Sequence, residues 1–554
     1  SINRRYDIVY GDVMLNFNYN INRFDIAATV GWTGRYENMN NIRVSTNGGL
    51  VTENWVDLNA SRYTPSSTLQ RMELLKTGYM GTLSLGWDNY LFLELTGRQE
   101  RSSTLKDQSF FYPSANLSFL FTQAFHMPSW WNYGKLRLSY GIVGNAPETY
   151  TANIVYEQGS DNGFTWNTIP SSWGNADIRP EKKYEYEIGL ESKFLNNRLG
   201  IDVSYYNNRV KDQILSTPQP STSGVKNVLM NVGEVANHGW DISISATPIL
   251  TRDFRWDLTA NYGVYKNKVV KLADGVPYLE ILNSGGSGIK IQAVEGQPMG
   301  DIYAQVPQVN ENGEYLVSDK GLYLNQTELQ KVGNINPAGV GGLFNSFSYK
   351  NVFLDFSIDF RIGGDVINEM NQYATAVGLT PESLKYRDTE HGGLSYYYPG
   401  DNNSSGIPVQ VDPSTGAGPN GEIIYHDGII LPGVVASTGE RNTRIIPAGY
   451  YYNTTYNWGT EAEQLTYRHS VFDNSYVKLR ELTIGYQFPE KMISKLGLGR
   501  LSVSVFGRNL FYFYKALKNY DAESSVGTSW ANQATVGSST TATRSFGVSL
   551  RASF

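Results

Sequence analysis

Apolar and polar residues alternate with a period of two along most of the chain, the pattern of β-strands that have one apolar and one polar face. One early segment alternates Phe24, Ile26, Ala28, Val30 and Trp32 with Asp25, Ala27, Thr29 and Gly31. Similar segments continue to the one that ends at Phe554. Together they predict about 15 antiparallel strands of roughly 10–15 residues. A soluble β-sandwich and an outer-membrane β-barrel both produce such alternation, so the fold class stays open at this point.

The connections between these segments alternate between short and long. The short ones are residues 20–23, 88–89, 124–133, 195–197, 248–252, 350–351 and 489–499. The long ones cover 35–73, 102–109, 145–180, 212–236, 268–342, 364–473 and 515–540. Bacterial outer-membrane barrels have short periplasmic turns and long extracellular loops, whereas soluble sandwiches show no such polarity. The connection lengths therefore favour a barrel.

Aromatic residues collect at the ends of the segments, as they do at membrane interfaces. They are Trp87, Tyr90, Trp130, Trp131, Tyr133, Trp240, Trp256 and Phe488. The last segment alternates up to Phe554, the form of an assembly signal read by the BAM machinery of the outer membrane. These features predict an all-β fold, a transmembrane antiparallel β-barrel of the bacterial outer membrane. Its polar face would line a lumen, and its long loops would be extracellular.

Composition excludes several classes of protein. Charged residues are 18% of the chain and aromatic residues 13%, too apolar and aromatic for a disordered chain. There is no cysteine, which removes disulfides, thiolate metal sites and cysteine nucleophiles. The net charge of -6 argues against a nucleic-acid partner, which needs a basic face. The sequence has no apolar run long enough for a transmembrane helix.

The sequence predicts no enzymatic activity. Its five histidines are His126, His238, His391, His426 and His469. None has the spacing of a zinc protease, and no G-x-S-x-G nucleophile motif occurs.

The number of strands bears on completeness. A single-chain bacterial barrel has an even number of strands, with both ends in the periplasm. If the last of about 15 strands ends in the periplasm, the first one starts outside the cell. We therefore expect residues 1–554 to be the C-terminal part of a larger barrel. The alternative is that the count is wrong by one strand.

Several blocks of sequence resemble the SusC/RagA group of TonB-dependent transporters of Bacteroidetes. The most specific are Tyr-Val-Lys-Leu-Arg-Glu-Leu-Thr-Ile-Gly-Tyr at 476–486 and Gly-Arg-Asn-Leu-Phe at 507–511. Further blocks lie, in the order of the family, at 135–145, 175–190, 194–206, 231–240, 295–303 and 345–365. The resemblance implies a barrel of about 22 strands with an N-terminal plug. This chain would supply the last 15 strands, without the plug domain and the first strands.

The same resemblance implies a function and a set of partners. We expect active import of oligomeric nutrients, either glycan oligosaccharides or oligopeptides, across the outer membrane. The expected partners are a SusD-like surface lipoprotein that closes the barrel as a lid, TonB acting through the absent N-terminal region, and the upstream part of the barrel. A dimer of transporter–lipoprotein pairs is a further expectation. The alternatives are a secreted soluble all-β protein that binds carbohydrate or is structural, and a passive porin.

Two groups of residues are candidates for substrate contact. The two longest connections, 268–342 and 364–473, are too long to be unstructured linkers, and we expect them to fold into a rim at the mouth of the barrel. The aromatic side chains of the long loops stack on sugars and pack on peptides alike; those selected are Trp166, Trp173, Tyr396, Tyr397 and Tyr398. The lumen charges selected are Arg98, Asp359 and Arg361. The alternative is that the aromatic residues pack the loops together or contact a partner, and that the charges pair across the barrel.

One loop has calcium-like spacing. Asp401, Asn403, Ser405 and Asp412 place oxygen atoms at the intervals of an EF-hand loop. The last of them is Asp where an EF-hand has a bidentate Glu, and Pro408 interrupts the loop. The hypothesis is an extracellular Ca²⁺ site, and the alternative is an ordinary polar loop. No other cofactor is expected.

Overall fold

The computed structural model describes residues 2–106, 109–161, 164–219, 222, 224–284, 288–400, 406–457, 466–524, 529–537 and 542–553. The chain divides into two compact units. The first comprises Ser1–Ser245 with Tyr265–Pro277, and the second comprises Ala246–Val264 with Tyr278–Phe554.

Fifteen strands of the described ranges form one antiparallel sheet in which each strand pairs with the next along the chain. They are β1 (Ile2–Ile21), β2 (Phe24–Leu50), β3 (Ser61–Trp87), β4 (Leu91–Ser102), β5 (Ser109–Phe119), β6 (Trp131–Asn145), β7 (Glu181–Phe194), β8 (Leu199–Lys211), β9 (Glu234–Leu250), β10 (Phe254–Lys271), β11 (Gly339–Tyr349), β12 (Val352–Ile362), β13 (Tyr476–Gln487), β14 (Arg500–Lys515) and β15 (Ser545–Ser553). The predicted all-β fold and the predicted number of strands are confirmed.

The short connections are built from residues that tolerate a left-handed backbone. Asp88 and Asn89, between β3 and β4, have φ of 51° and 60°. Asn22 and Lys350, in two other tight turns, both have φ of 53°. Asn and Asp adopt this conformation more readily than most residues. These turns lie in three of the connections predicted to be short. The alternation is incomplete, because the connection 102–109, grouped with the long ones, leaves only residues 103–108 between β4 and β5.

A second long connection also differs from the prediction. Residues 35–73 were expected to form a loop, but β2 and β3 are 27 residues long each and leave only 51–60 between them. The pairing continues far beyond the apolar alternation, and Val44 still pairs with Ser67. A membrane-spanning strand needs only about 9–11 residues. Beyond that depth both faces of a strand meet water, so the ladder continues without an apolar signal in the sequence.

The long connections of the first unit form a small folded region. The strands Glu157–Asp161 and Phe164–Thr168 pair with each other, and Ile214–Pro218, Asn227–Asn231 and Ser172–Trp173 form a three-stranded sheet. Leu105, Phe110, Ala152 and Ile178 make up a buried core beneath them. Three successive connections thus share one apolar cluster.

The long connections of the second unit form a larger region, which we call the loop layer (residues 278–338, 363–475 and 516–537). It contains two four-stranded sheets, of Tyr278–Ser284, Ile289–Val294, Asp301–Ala304 and Gln330–Asn334, and of Leu394–Tyr397, Val409–Gln410, Tyr425–Ile429 and Ile446–Pro447. Leu316–Val317 pairs with Val434–Val435, and Asp365–Ile367 pairs with Val471–Asp473. The expectation that these loops fold is confirmed.

The loop layer has its own apolar core. Ile289, Ile291 and Ile302 from its first segment pack with Ile367 from the second and Ala534 from the third. All five side chains are buried, and the four isoleucines are completely inaccessible. Burial of this kind contributes roughly 1.5–3 kcal/mol per large apolar side chain. The three segments are therefore held together as one packed body.

Helices are few and short. They are α1 (Phe121–Ala124), α2 (Glu369–Ala376), α3 (Ala448–Tyr456) and α4 (Glu490–Ile493), with 3-10 turns at Leu58–Ala60, Pro381–Leu384, Tyr467–Ser470, Ser494–Leu496 and Asn532–Ala534. The Asn368 side chain caps α2 by accepting a hydrogen bond from the Asn371 N–H. In the part of the chain that the structure describes, no helix has the length and apolar character needed to cross a membrane.

Candidate functional site: the polar face and the loop layer

The register of the sheet separates an apolar face from a polar one. In β6 and β7, Leu138 pairs with Ile188 on one face, while Arg137 pairs with Gly189 on the other. Successive side chains of a strand point to opposite faces, so the alternation in the sequence becomes two continuous surfaces. The polar face is the surface on which the predicted lumen charges lie.

Charges on the polar face are paired across strands. The Arg137 guanidinium on β6 reaches past β7 and donates to both carboxylate oxygens of Asp202 on β8, at 2.6 and 3.2 Å. Gly189 lies on β7 between them, and a Cβ there would stand 2.8 Å from the Arg137 guanidinium. The missing side chain at Gly189 is what lets the arginine cross the intervening strand. The pair ties three successive strands together.

We predict that Gly189→Ala weakens this cross-strand pair. The new methyl group pushes the guanidinium away from Asp202, and a partly exposed charged pair of this kind contributes on the order of 1 kcal/mol. The matched control is Gly141→Ala, also on the polar face, where a Cβ would meet Ser114 at an ordinary 3.5 Å. Thermal unfolding in detergent should show a lower midpoint for Gly189→Ala alone. Equal midpoints would mean that the pair does not stabilise the sheet.

Arg98 lies in a second cluster on this face. Its Nε atom donates to Glu100 at 2.9 Å, and the Tyr112 hydroxyl donates to the same carboxylate at 2.6 Å. The arginine is half-buried and its charge is neutralised by its neighbour. Its geometry favours the interpretation that it pairs within the sheet.

Asp359 belongs to a denser network in the second unit. It accepts a hydrogen bond of 2.5 Å from Arg480 Nε. Arg480 also makes two bonds to the Glu523 carboxylate, at 2.6 and 2.9 Å. Glu523 is paired in addition with Lys478, at 2.5 Å, and the Lys478 side chain is almost completely buried. We call Asp359, Lys478, Arg480 and Glu523 the charge network.

Sequence reasoning selected Asp359 but missed its partners. The two most specific sequence blocks held the signal, because they meet here: Arg480 donates to Asn509 at 3.0 Å, and Arg508 donates to Glu481 at 2.9 Å. Asn509 adopts a left-handed backbone with φ of 54°. The family resemblance identified these two blocks but did not indicate which residues of the chain they contact. In the structure they anchor residues 516–524 to the sheet.

Arg361 bonds to the backbone of the loop layer. Its guanidinium donates to the backbone carbonyl oxygens of Gly363, at 3.2 Å, and Ile335, at 3.0 Å. It therefore ties the two edges of the loop layer to the end of β12. This position makes it an anchor of the loops.

The predicted loop aromatics occupy unlike environments. Tyr396 and Tyr398 are 1% and 5% exposed and lie in a cluster with Ile445, which favours the packing interpretation for both. Tyr397 is half-buried beside them. In the first unit, Trp166 is 46% exposed on a hairpin. Trp173 is half-buried and lies edge-on to Tyr156, with ring centroids 5.9 Å apart.

The calcium hypothesis falls largely outside the structure. Asp401, Asn403 and Ser405 lie outside the described residues, as does Phe554, the predicted assembly signal. Asp412 is described and exposed, and its carboxylate accepts hydrogen bonds from the Ser414 hydroxyl and N–H. These bonds lower the pKa of Asp412. Both the Ca²⁺ site and the assembly signal stay predictions.

Glu422 lies at the end of the segment that carries the calcium-like spacing. Its buried carboxylate accepts hydrogen bonds from the Asn420 N–H at 2.8 Å and from the Gly400 N–H at 3.1 Å. The Asn420 bond first, and the Gly400 bond with it, lower the pKa of Glu422 from 4.5 to about 2 against the opposing effect of burial. One carboxylate thus joins the two ends of residues 400–422.

We predict a pH dependence for this closure. Because the pKa of Glu422 is lower in the folded protein, its stabilising effect is complete above pH 4.5 and is lost as the pH falls through about 2. Pepsin should therefore cleave residues 400–422 slowly at pH 4 and quickly at pH 2. Glu422→Gln should be cleaved quickly at both values, and the exposed control Glu440→Gln should behave as the parent does. Equal cleavage of all three proteins at pH 4 would contradict the assignment.

Comparisons with known proteins agree with this arrangement. The family described as "TonB dependent receptor-like, beta-barrel" matches residues 1–299. The TonB-dependent receptor P3 of Formosa agariphila is 24% identical over 494 residues, which are 81% of this chain and 42% of that protein. The TonB-dependent receptor SusC of Bacteroides thetaiotaomicron is 30% identical over 247 residues, 41% of this chain and 24% of that protein.

The solved structures give the same fold. The RagAB peptide transporter aligns with a TM-score of 0.68 at 18% identity, over 94% of this chain and 54% of that chain. The chain thus spans about half the length of this structure, and less than half of the two relatives. The relatives are named as receptors, in agreement with the prediction that the chain is not an enzyme.

Proposed function

The chain belongs to the TonB dependent receptor-like β-barrel family of the outer membrane, and on this premise we propose that it serves the active import of oligomeric nutrients. The substrates are oligosaccharides or oligopeptides, too large for passive diffusion. Energy comes from TonB, through parts of the protein that lie outside these residues. A secreted soluble protein, the main alternative from the sequence, is hard to reconcile with the family match.

The loop layer is the observation that carries the proposal. Three connections that a passive channel has no need of are folded around a common buried core, with Ile289, Ile291 and Ile302 at its centre. Loops of this length with their own packed core are a binding device and not linkers. They stand at the ends of strands whose polar face is lined with charges, as a receptor for a polar substrate requires.

We further propose that a SusD-like surface lipoprotein closes the barrel over these loops. Large apolar side chains are exposed in the loop layer, among them Leu379 at 78% and Ile407 at 69%. Exposed apolar residues in a cluster of ordered loops suit a partner protein better than open water. The proposed functional unit is one transporter bound to one lipoprotein, and two such units form a dimer.

Uptake measurements test active import. Cells that carry the gene should accumulate a labelled oligomer, and cells without it should not. A protonophore should abolish uptake, because TonB draws on the proton gradient. A surface lipoprotein should be recovered with the protein from outer membranes at about equal amounts. Uptake that survives the protonophore would identify a passive porin, and recovery of no lipoprotein would remove the lid from the proposal.

A further inference from the structure

A cavity of about 380 Å³ lies in the loop layer, and its residues come from two different long connections. Four tyrosines line it, Tyr323 from one connection and Tyr386, Tyr451 and Tyr452 from the other. Residues 428–432, Glu382 and Lys385 also line it. We call this cavity the tyrosine pocket. Its volume falls at the lower end of the roughly 300–1,000 Å³ of small-molecule sites.

One of these tyrosines has an unfavourable backbone conformation. Tyr386 has φ of 64°, a region that bulky side chains rarely adopt. Hydrogen bonds fix the turn around it, from the Tyr386 N–H to the His391 carbonyl at 2.9 Å and from the Gly393 N–H to the Asp388 carbonyl at 2.7 Å. Strained residues of this kind cluster at ligand sites. The conformation places the Tyr386 ring at the pocket.

The hydroxyl groups of two of the tyrosines are available to a ligand. Tyr452 donates to the Glu382 carbonyl at 2.7 Å. Within the described part of the chain, by contrast, no hydrogen bond is made by the hydroxyls of Tyr323 and Tyr386. Burial raises the pKa of Tyr323 to about 12, so this hydroxyl stays protonated and able to donate. Each phenol hydroxyl can both donate and accept.

The described residues that line the pocket leave no charge unpaired. Glu382 and Lys385 are paired with each other at 2.8 Å. A peptide brings charged termini or a charged side chain, which need an opposite charge at the site. A neutral sugar needs instead flat aromatic surfaces for its C–H faces and hydroxyl partners for its own hydroxyls. The tyrosine pocket supplies both.

We propose that the tyrosine pocket binds one or two rings of a neutral oligosaccharide. The proposal rests on the proposed import function and narrows its substrate class from oligomers in general to glycans. The rings of Tyr386 and Tyr323 stack on the sugar, and their hydroxyls bond to it. A glycan held here is bound by the loop layer before it reaches the polar face of the sheet.

Calorimetric titration of the protein in detergent tests this assignment. The probes are neutral trisaccharides of glucose, xylose, mannose and fructose, with trialanine as the peptide probe. The double variant Tyr323→Phe/Tyr386→Phe removes two hydroxyls and keeps both rings, so packing is preserved. We expect at least one trisaccharide to bind and the double variant to bind it about tenfold more weakly, with an unchanged unfolding midpoint. Tyr278→Phe, a 43% exposed tyrosine away from the pocket, is the matched control.

Every other result overturns the proposal. Binding that is equal in the double variant would leave the tyrosines as packing residues. Binding of trialanine that depends on the two hydroxyls would assign the pocket to peptides, and binding of no probe at millimolar concentration would remove the site. The protonophore test of import is independent of these results. A failed pocket with gradient-dependent uptake would leave the proposed function standing.

Discussion

Replacing Glu523 with alanine should release residues 516–524 from the sheet and destabilise this segment by about 3 kcal/mol, because the buried Lys478 would lose its counter-charge. The Lys478 ammonium lies 2.5 Å from Glu523 and over the Tyr512 ring, 4.7 Å from its centroid. Burial would raise the pKa of Glu523, but the bonds from Arg480 and Lys478 prevail and lower it to about 2. The Glu523 carboxylate is therefore charged at every physiological pH.

Hydrogen exchange measures this effect locally. The amides of residues 516–524 should exchange far faster in Glu523→Ala, while those of β1 and β2 keep their protection. Asp274→Ala removes the partner of Lys271 in a pair whose carboxylate side chain is 94% exposed, and it should change stability by less than about 0.5 kcal/mol. If Glu523→Ala exchanged no faster than this control, the charge network would not be the anchor of the segment.

The strands could be predicted from the sequence because each one meets two unlike environments. In β6 the difference is visible as an alternation of apolar Leu136, Leu138 and Tyr140 with charged Lys135 and Arg137. Where neither face is buried, as in residues 43–50 of β2, the alternation ends although the strand continues. Periodicity therefore locates the part of a strand with an apolar face and underestimates the hydrogen-bonded length.

The contacts of the candidate site could be predicted only in part. Asp359 was selected for its place on the polar face, but its partner Arg480 lies 121 residues away. No local pattern encodes a pairing that depends on which strands are neighbours. The tyrosines show the same limit. Tyr396 and Tyr398 were selected as candidates for substrate contact because they form an aromatic run with Tyr397, but both are buried. Tyr386 and Tyr323, which line the tyrosine pocket, stand alone in the sequence and were not selected.

The loop layer should come apart as a unit when its core is truncated. Ile302→Ala removes buried methyl and methylene groups from a side chain with no exposed surface, at a cost of about 2–5 kcal/mol. Since this core joins three connections, we expect hydrogen exchange to accelerate in all of them together. The hydrogen-bonded ladder of the sheet does not pass through Ile302, so β11 and β12 should keep their protection.

The control for this prediction is Leu379→Ala, in the same layer at a side chain that is 78% exposed. It should alter stability by about 0.5 kcal/mol or less. Acceleration limited to residues 301–304 would show that the segments fold independently of one another, and equal loss of protection in β11 and β12 would show that layer and sheet unfold together. A layer that opens alone would suit the proposed import function, in which loops move to admit a large substrate while the strands in the membrane stay paired.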